Sequence, residues 1–345
     1  MKLVFKPYLL EFKHPFGVSS NTRTHTQSVF TRISYNGVFG YGEACLPVYL
    51  GETLEETILF LEKAEKIIEK YKSPIEAEEL FKEIDEILTG CNAAKAAIDI
   101  ALCDLRGKIE NKPFYNILKI GKSEANITAC TIGIDDEKTI ALKIEEAKEF
   151  SVLKIKAGTK DDKALINLIR KYTDKPLYVD VNQGWTDKYF VVDMVAWLKE
   201  KGVLLIEQPM PVNMIDEMAW VTERSALPTF ADESAKRFND IDNIKGVFSG
   251  INIKLMKSAG LTEAHKMINY AKQNQLKIFL GCMAESSCAT SAMAQLMQFA
   301  DFIDLDAPML IKNDPFKGIT YKNGKVNLND LAGIGVELDE SLLRF

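Results

Sequence analysis

Five charged residues recur in this chain at intervals of about one strand-helix unit: Lys156, Asp180, Glu207, Asp232 and Lys254. Each stands at or just past the end of a short apolar run, in VLKIK, LYVDVN, LLIEQ, PTFADE and INIK. If each run is a parallel strand, all five side chains gather at one end of one sheet. Three carboxylates between two lysines then suggest a metal flanked by two bases.

The rest of the chain supplies the units this reading needs. From about Asn126 onward, eight strand-like runs (ITACTIGI, VLKIKA, LYVDV, LLIEQ, PTFAD, INIKL, KIFLG and FIDLD) alternate with segments of helical period such as YFVVDMVAWLKEKG and LTEAHKMINYAKQN. Alternation of this count and length predicts a (β/α)8-type barrel, whose active sites lie at the C-terminal ends of its strands. Residues 1 to about 50 read as strands. A polar loop is expected from Val18 to Gln27 and a hairpin at Asn36-Gly37, the strongest short hairpin signal. Residues 53–72 and 74–90 carry helical periodicity, and NAAKAAIDIALCDLRGKI is apolar on most faces, so it should be buried. The expected organisation is an α+β capping domain over 1–120 and a barrel over 121–314. A tail, 315–345, holds a second Asn-Gly hairpin that packs back on the first region.

Composition narrows the function. With 345 residues, 47% hydrophobic and 27% charged, the chain can bury a sizeable core. The net charge of −6, with lysines and acids interleaved, argues against nucleic acid. No apolar stretch is long enough to span a bilayer. The N-terminus alternates as a strand rather than a secretory segment, so a cytoplasmic location is expected. The cysteines (45, 91, 103, 130, 282 and 288) form no CxxC pair and have no histidine at zinc spacing; they read as reduced, mostly buried residues. His14, His25 and His265 are too scattered for a histidine metal site, and His25 reads as a solvated loop residue. GVFGYG has the wrong spacing for a dinucleotide fingerprint.

The ladder carries the chemistry. Asp180, Glu207 and Asp232 offer only oxygen donors, which suit Mg2+, or Mn2+, rather than zinc. Without a cation, three acids at one barrel mouth would repel one another. Lys154 and Lys156 are two apart and share a strand face. Lys156 and Lys254 would come from strands two and six, on opposite sides of the ring. A base on each face of one carbon suits removing a proton from one side and returning it to the other. Lys257 reads as a surface ion-pair partner. Asp304 and Asp306 share a face at the end of the eighth run. Pattern alone leaves two readings for them, a site for an ammonium group or a cap on the turn through Pro308.

These motifs, KIK at 154–156, DVNQGW at 180–185, EQP at 207–209, ADES at 231–234 and NIKLMKSAG at 252–260, resemble the enolase superfamily, in its muconate-lactonizing subgroup. GYGEA at 40–44, AAIDIALCDLRGK at 96–108 and GCMAES at 281–286 extend the resemblance over nearly the whole chain. It implies a capping domain on a (β/α)7β modified TIM barrel and Mg2+ held by Asp180, Glu207 and Asp232. It further implies proton abstraction next to a carboxylate by Lys156 and Lys254, with Lys154 tuning Lys156. A lysine base working beside Mg2+ is known chemistry of this superfamily, so the resemblance implies it and the spacing adds which lysines.

Within the subgroup, the Asp304–Asp306 pair is similar to that of dipeptide epimerases, where it holds a substrate ammonium. The implied substrate is a dipeptide, with Thr131 and the Cys282 backbone at its peptide group. Ala-Glu epimerases carry an arginine at the position that aligns with Asn21, and Arg23 lies two residues on. A neutral Asn21 lacks a bidentate clamp, which predicts an Ala-Xaa substrate with Xaa uncharged; Arg23 swinging in would restore acidic specificity. A homo-oligomer is compatible with this class. The rival readings are a muconate cycloisomerase, an Ala-Glu epimerase, a Schiff-base lysine barrel and a catalytically silent binding barrel.

Overall fold

The computed structural model describes residues 1–17, 22–74, 77–124 and 126–345. Strands β1 (Lys2–Gly17), β2 (Thr22–Tyr35) and β3 (Val38–Leu46) form an antiparallel meander. Asn36 and Gly37 both have positive φ, 48° and 80°, as a tight two-residue hairpin turn requires. Helices α1 (Leu54–Ile68), α2 (Ala77–Glu86), α3 (Asn92–Ile109) and α4 (Phe114–Ile117) follow. The helix α3, buried along most of its length, lies directly on β3. Gly40 and Gly42 explain how closely it lies. A Cβ at either would sit 2.1 Å from Ala101 O or 2.0 Å from Ala97 O, so this glycine pair serves helix packing.

After the short β4 (Asn126–Ile127) comes the barrel. Its strands are β5 (Ala129–Ile132), β6 (Val152–Lys156), β7 (Leu177–Asp180), β8 (Val203–Glu207), β9 (Thr229–Ala231), β10 (Gly250–Ile253), β11 (Lys277–Gly281) and β12 (Phe302–Asp304). Between and after them run α5 (Glu137–Glu146), α6 (Asp162–Arg170), α7 (Lys188–Glu200), α8 (Ile215–Arg224), α9 (Ile241–Ile244), α10 (Leu261–Gln273), α11 (Ser287–Ala294) and α12 (Ala307–Leu310). The eight strands pair in sequence order and in parallel, and a bridge from Thr128 to Ile303 brings the two edges together. The barrel is thus nearly closed and of modified TIM type.

Register sets what fills the barrel. Residues two before the site residues share their inward face. Tyr178, Leu205, Phe230, Phe279 and Phe302 stand two positions before Asp180, Glu207, Asp232, Gly281 and Asp304, and they pack as one cluster. Their rings meet edge-on: Phe230 and Phe279 lie 5.6 Å apart at 80°, Tyr178 and Phe302 5.7 Å apart at 89°. This largely aromatic layer is an apolar floor beneath the charged residues.

Two expectations need correction. Strand β2 resumes at Thr22, so the polar stretch from Thr22 to Gln27 is paired strand; Gln27 faces Leu9 and His25 faces Glu11. Long antiparallel pairing there overrides its polar composition. The second hairpin, β14 (Thr320–Lys322) and β15 (Lys325–Asn327), follows β13 (Phe316–Lys317) and pairs with β4 at the entry to the barrel, not with the first region. Other parts of the tail do reach the first region. Phe316 packs against Phe30 and Tyr41, and Ile334 N donates to Asp104 Oδ1; β16 (Glu337–Leu338) pairs with β13.

Candidate active site

At the C-terminal ends of the barrel strands, beside Phe16 of β1 and Arg23 of β2, lies a cavity of about 260 Å3. Its lining includes Lys154, Lys156, Lys254, Thr131, Cys282, Asp304, Asp306 and Arg23. The site residues expected from the sequence line this cavity, except Asp180, Glu207 and Asp232, which lie beneath it against the lysines, and Asn21, which lies outside the described residues. Ser286 and Ser287 turn away from the cavity. Ser286 caps α11 and binds Glu43, and Ser287 binds Asp314.

Pairing across neighbouring strands sets Lys156 opposite Asp180 and Asp180 opposite Glu207; Asp232 follows β9 directly. The three carboxylates are buried, each offering an oxygen within 4.8 Å of the others. Four oxygens without a hydrogen-bond partner among the described residues gather around them: Glu207 Oε2, Asn252 Oδ1, Asn182 Oδ1 and Glu233 Oε2. Lys154 Nζ is 2.7 Å from Glu207 Oε2, but off the hydrogen-bonding direction. Buried acceptors left unpaired are costly. An all-oxygen acid cluster with spare lone pairs fits a hard divalent cation such as Mg2+.

The lysines sort by partner. Lys156 Nζ donates to Asp180 Oδ2 at 2.6 Å, and Lys254 Nζ to Asp232 Oδ2 at 2.6 Å. Strands β6 and β10 are four apart in a ring of eight, so the two ammonium groups approach the acid cluster from opposite sides. Lys154 meets Asp304 and Glu207 at 2.7 Å each and Asp180 at 3.4 Å, above the ring of Phe279. Burial alone would lower its pKa, but Asp304, Glu207 and Asp180 outweigh burial and hold it well above the ordinary lysine range. Its charge is engaged by acids first, and not presented bare to Lys156.

Burial pushes Asp180 up, and Lys156, Lys154 and Lys254 more than offset it, leaving the carboxyl below its usual range. Asp232 is driven further down, because Lys254 and Lys257 together outweigh burial. Glu207 is raised, by burial and then by Asp180. Across the cavity, burial and then the charge of Asp304 push Asp306 up to about 7, even though Thr131 N donates to it at 2.6 Å.

Lys257 corrects the sequence reading. It is buried, not a surface ion-pair partner. Its ammonium reaches Asp232 Oδ1, the Asp232 carbonyl at 2.6 Å, Asn252 O at 2.9 Å and Ala235 O at 3.2 Å. Two other supports were not foreseen. Asn252 Nδ2 donates to Glu207 at 2.7 Å, and buried Gln208, at φ 37°, accepts from Asp232 N at 2.9 Å through its side chain. The signal for Asn252 was present: it stands two before Lys254 on the same strand face.

This arrangement, buried oxygen ligands between two opposed lysines with a paired-aspartate site across the cavity, has relatives. The family model described as "Mandelate racemase / muconate lactonizing enzyme, N-terminal domain" matches residues 4–119, and "Enolase C-terminal domain-like" matches 139–342. The chain belongs to the enolase superfamily. As an enolase-superfamily protein of the mandelate-racemase and muconate-lactonizing subgroup, it is 48% identical over 337 residues to the "L-Ala-D/L-Glu epimerase" of Bacteroides thetaiotaomicron, covering 97% of this chain and 88% of that one. It is 36% identical to the "L-Ala-D/L-amino acid epimerase" of Maribacter sp., over 99% and 100% of the two chains. A solved dipeptide epimerase from Enterococcus faecalis V583, complexed with Mg and the dipeptide L-Leu-L-Tyr, superposes with a TM-score of 0.90 at 31% identity. That alignment covers 97% of this chain and 98% of the solved one.

Proposed function

We infer that the chain is an isomerase that epimerises Ala-Xaa dipeptides at the α-carbon of the second residue. The observation that carries this is the cavity itself. It holds an acid cluster suited to Mg2+, a lysine on either side of that cluster, and two buried aspartates on the opposite wall. Buried carboxylates need a partner. Lys154 answers part of Asp304, while Asp306 accepts from the Thr131 amide. A substrate ammonium completes the pair, whereas muconate and N-acylated amino acids have none.

Asp180, Glu207 and Asp232 hold the Mg2+. When bound, it supplies the positive charge that offsets negative charge growing on the substrate carboxylate as the α-proton leaves. Asp304 and Asp306 fix the ammonium end, and Thr131 and Cys282 lie beside the peptide group. With both ends held, the α-carbon is presented between Lys156 and Lys254. One lysine removes the proton as a neutral amine, and the other, protonated, delivers a proton to the opposite face. The roles exchange for the other epimer. Lys154 holds Asp304 against the acid cluster.

For the second side chain, Arg23 supports a wider reading than Asn21 alone. Arg23 lines the cavity and its guanidinium lies 5.9 Å from the Phe12 ring centre. A planar guanidinium can take a carboxylate with two parallel hydrogen bonds. Ala-Glu therefore joins Ala-Val and Ala-Ala as a substrate. The test is turnover of these three dipeptides beside N-acetyl-Ala-Glu and cis,cis-muconate. Epimerisation of the free dipeptides alone supports the reading; conversion of muconate, or equal use of the acetylated peptide, contradicts it.

A further inference from the structure

The two lysines of the site stand on turns that are closed from different parts of the molecule. Behind Lys156, the loop after β6 is held by Asp162, the first residue of α6. Asp162 accepts from Gly158 N at 3.0 Å, Thr159 N at 2.9 Å, Thr159 Oγ1 at 3.0 Å and Trp185 Nε1 at 2.8 Å, all of them barrel residues. Behind Lys254, the carboxylate comes from outside the barrel. It is Asp99, buried in the middle of α3, which lies against α10. Its Oδ2 accepts from Thr262 N at 2.9 Å and its Oδ1 from Thr262 Oγ1 at 2.5 Å.

The sequence of the Lys254 turn explains why a distant acid is needed. Helix α10 begins after Gly260, which has no side chain with which to cap it. The first amides of a helix have no acceptor within it, and Asp99 supplies one from α3, as an N-cap side chain would. Leu261 N also bonds it. The contact is close: Gly260 has φ 116°, and a Cβ there would lie 2.3 Å from Asp99 Oδ2. From Gly260, hydrogen bonds run back to Lys254. Gly260 N donates to Leu255 O at 3.1 Å, Ser258 Oγ to Gly260 O at 3.1 Å, and Ser258 N and Lys257 N to Lys254 O at 3.0 Å each. The Cys45 amide of β3 adds a second tie, to Met256 Sδ at 3.2 Å.

We propose that Asp99 is a positioning residue for Lys254: it fixes the far end of the 254–260 turn and so sets where the Lys254 ammonium stands relative to the substrate α-carbon. The proposal rests on the two-base reading above. The Lys156 turn, closed within the barrel by Asp162, does not depend on Asp99. Misplacing a reacting group by about 1 Å through a distant change can cost about 100-fold in rate. A change at Asp99 therefore acts on one face of the carbon and spares the other.

The experiment follows α-proton exchange of the Ala-Val epimers in heavy water with the Mg2+-loaded full chain. Asp99→Asn is placed in Lys156→Ala, where Lys254 alone works, and in Lys254→Ala, where Lys156 alone works. Thr262→Val, which removes the hydroxyl partner from the barrel side, is carried through the same two backgrounds and decides the matter if Asp99→Asn does not fold. The readout is each exchange rate relative to its own parent, per mole of folded protein. Asp99→Asn should lower the rate about tenfold or more in the Lys156→Ala background and less than about twofold in the Lys254→Ala background. Thr262→Val should give a smaller fall with the same selectivity. Equal losses in both backgrounds make Asp99 a prop of the fold and overturn the proposal, as does a rate unchanged in both. Absence of exchange in both parents overturns the two-base reading beneath it.

Discussion

The backbone amide of Thr131 donates to Asp306 Oδ2 at 2.6 Å, tying the first barrel strand to the segment that follows the last. The bond favours the charged carboxylate, yet burial and the neighbouring charge of Asp304 still lift Asp306 to about 7. As pH falls through 7, Asp306 takes up a proton and can no longer counter a substrate ammonium. A single proton at that position gives a fall of about tenfold in kcat/KM between pH 8 and pH 6, read as the acid limb of the free enzyme. Asp306→Asn should be slow and flat over the same range. Glu233, also pushed to about 7, is separated by Glu233→Gln. Loss of the limb in that variant, with the limb kept in Asp306→Asn, would reassign it.

Lys257 holds Asp232 from behind while Lys254 meets it from the cavity side. Lys257→Met removes a buried cation and leaves its carboxylate and three carbonyls short of a donor. Breaking one partner of a buried pair costs about 3–5 kcal/mol. A urea titration should show a lower midpoint with little change in slope. A loss under about 1 kcal/mol would mean that Lys254 alone satisfies Asp232.

How much of this was open to reading depended on periodicity. A strand repeats every two residues, so the sequence alone places Lys154 with Lys156 and Asp304 with Asp306 on shared faces. The aromatic floor obeys the same rule. Lys257 lay beyond that logic. It follows β10 in an irregular turn, and only the three-dimensional path of residues 254–257 folds it back onto Asp232. The second hairpin shows a similar limit. Asn323-Gly324 announced its turn, but its pairing with β4 is a contact between distant parts of the chain that no local pattern encodes.

Three buried acids drawn together make the fold responsive to divalent cation. Mg2+ binding only the folded state at a hundred times its Kd adds about 2.7 kcal/mol. Tm should rise with Mg2+ and drop back with EDTA, and Asp180→Asn should blunt the response. An identical rise in that variant would place the cation elsewhere.

In the proposed function Arg23 meets the side chain of the second residue. Its hydrogen bonds to a side-chain carboxylate are worth about 1.5–3 kcal/mol. Arg23→Gln should therefore cut kcat/KM for Ala-Glu by about 10- to 100-fold while changing Ala-Val little. Equal losses on both substrates would make Arg23 a support for the Phe12 face of the cavity rather than a ligand.

The central claim is that one of Lys156 and Lys254 removes the α-proton and the other delivers a second proton to the opposite face of the same carbon. It is tested by incubating Ala-Xaa epimers with Mg2+-loaded protein in heavy water and following the α-proton by NMR. Wild type should yield the opposite epimer carrying one solvent deuteron. Lys254→Ala should lose epimerisation yet exchange the α-proton of one epimer through Lys156, and Lys156→Ala should do the same for the other. Full epimerisation by either variant would contradict the two-base assignment.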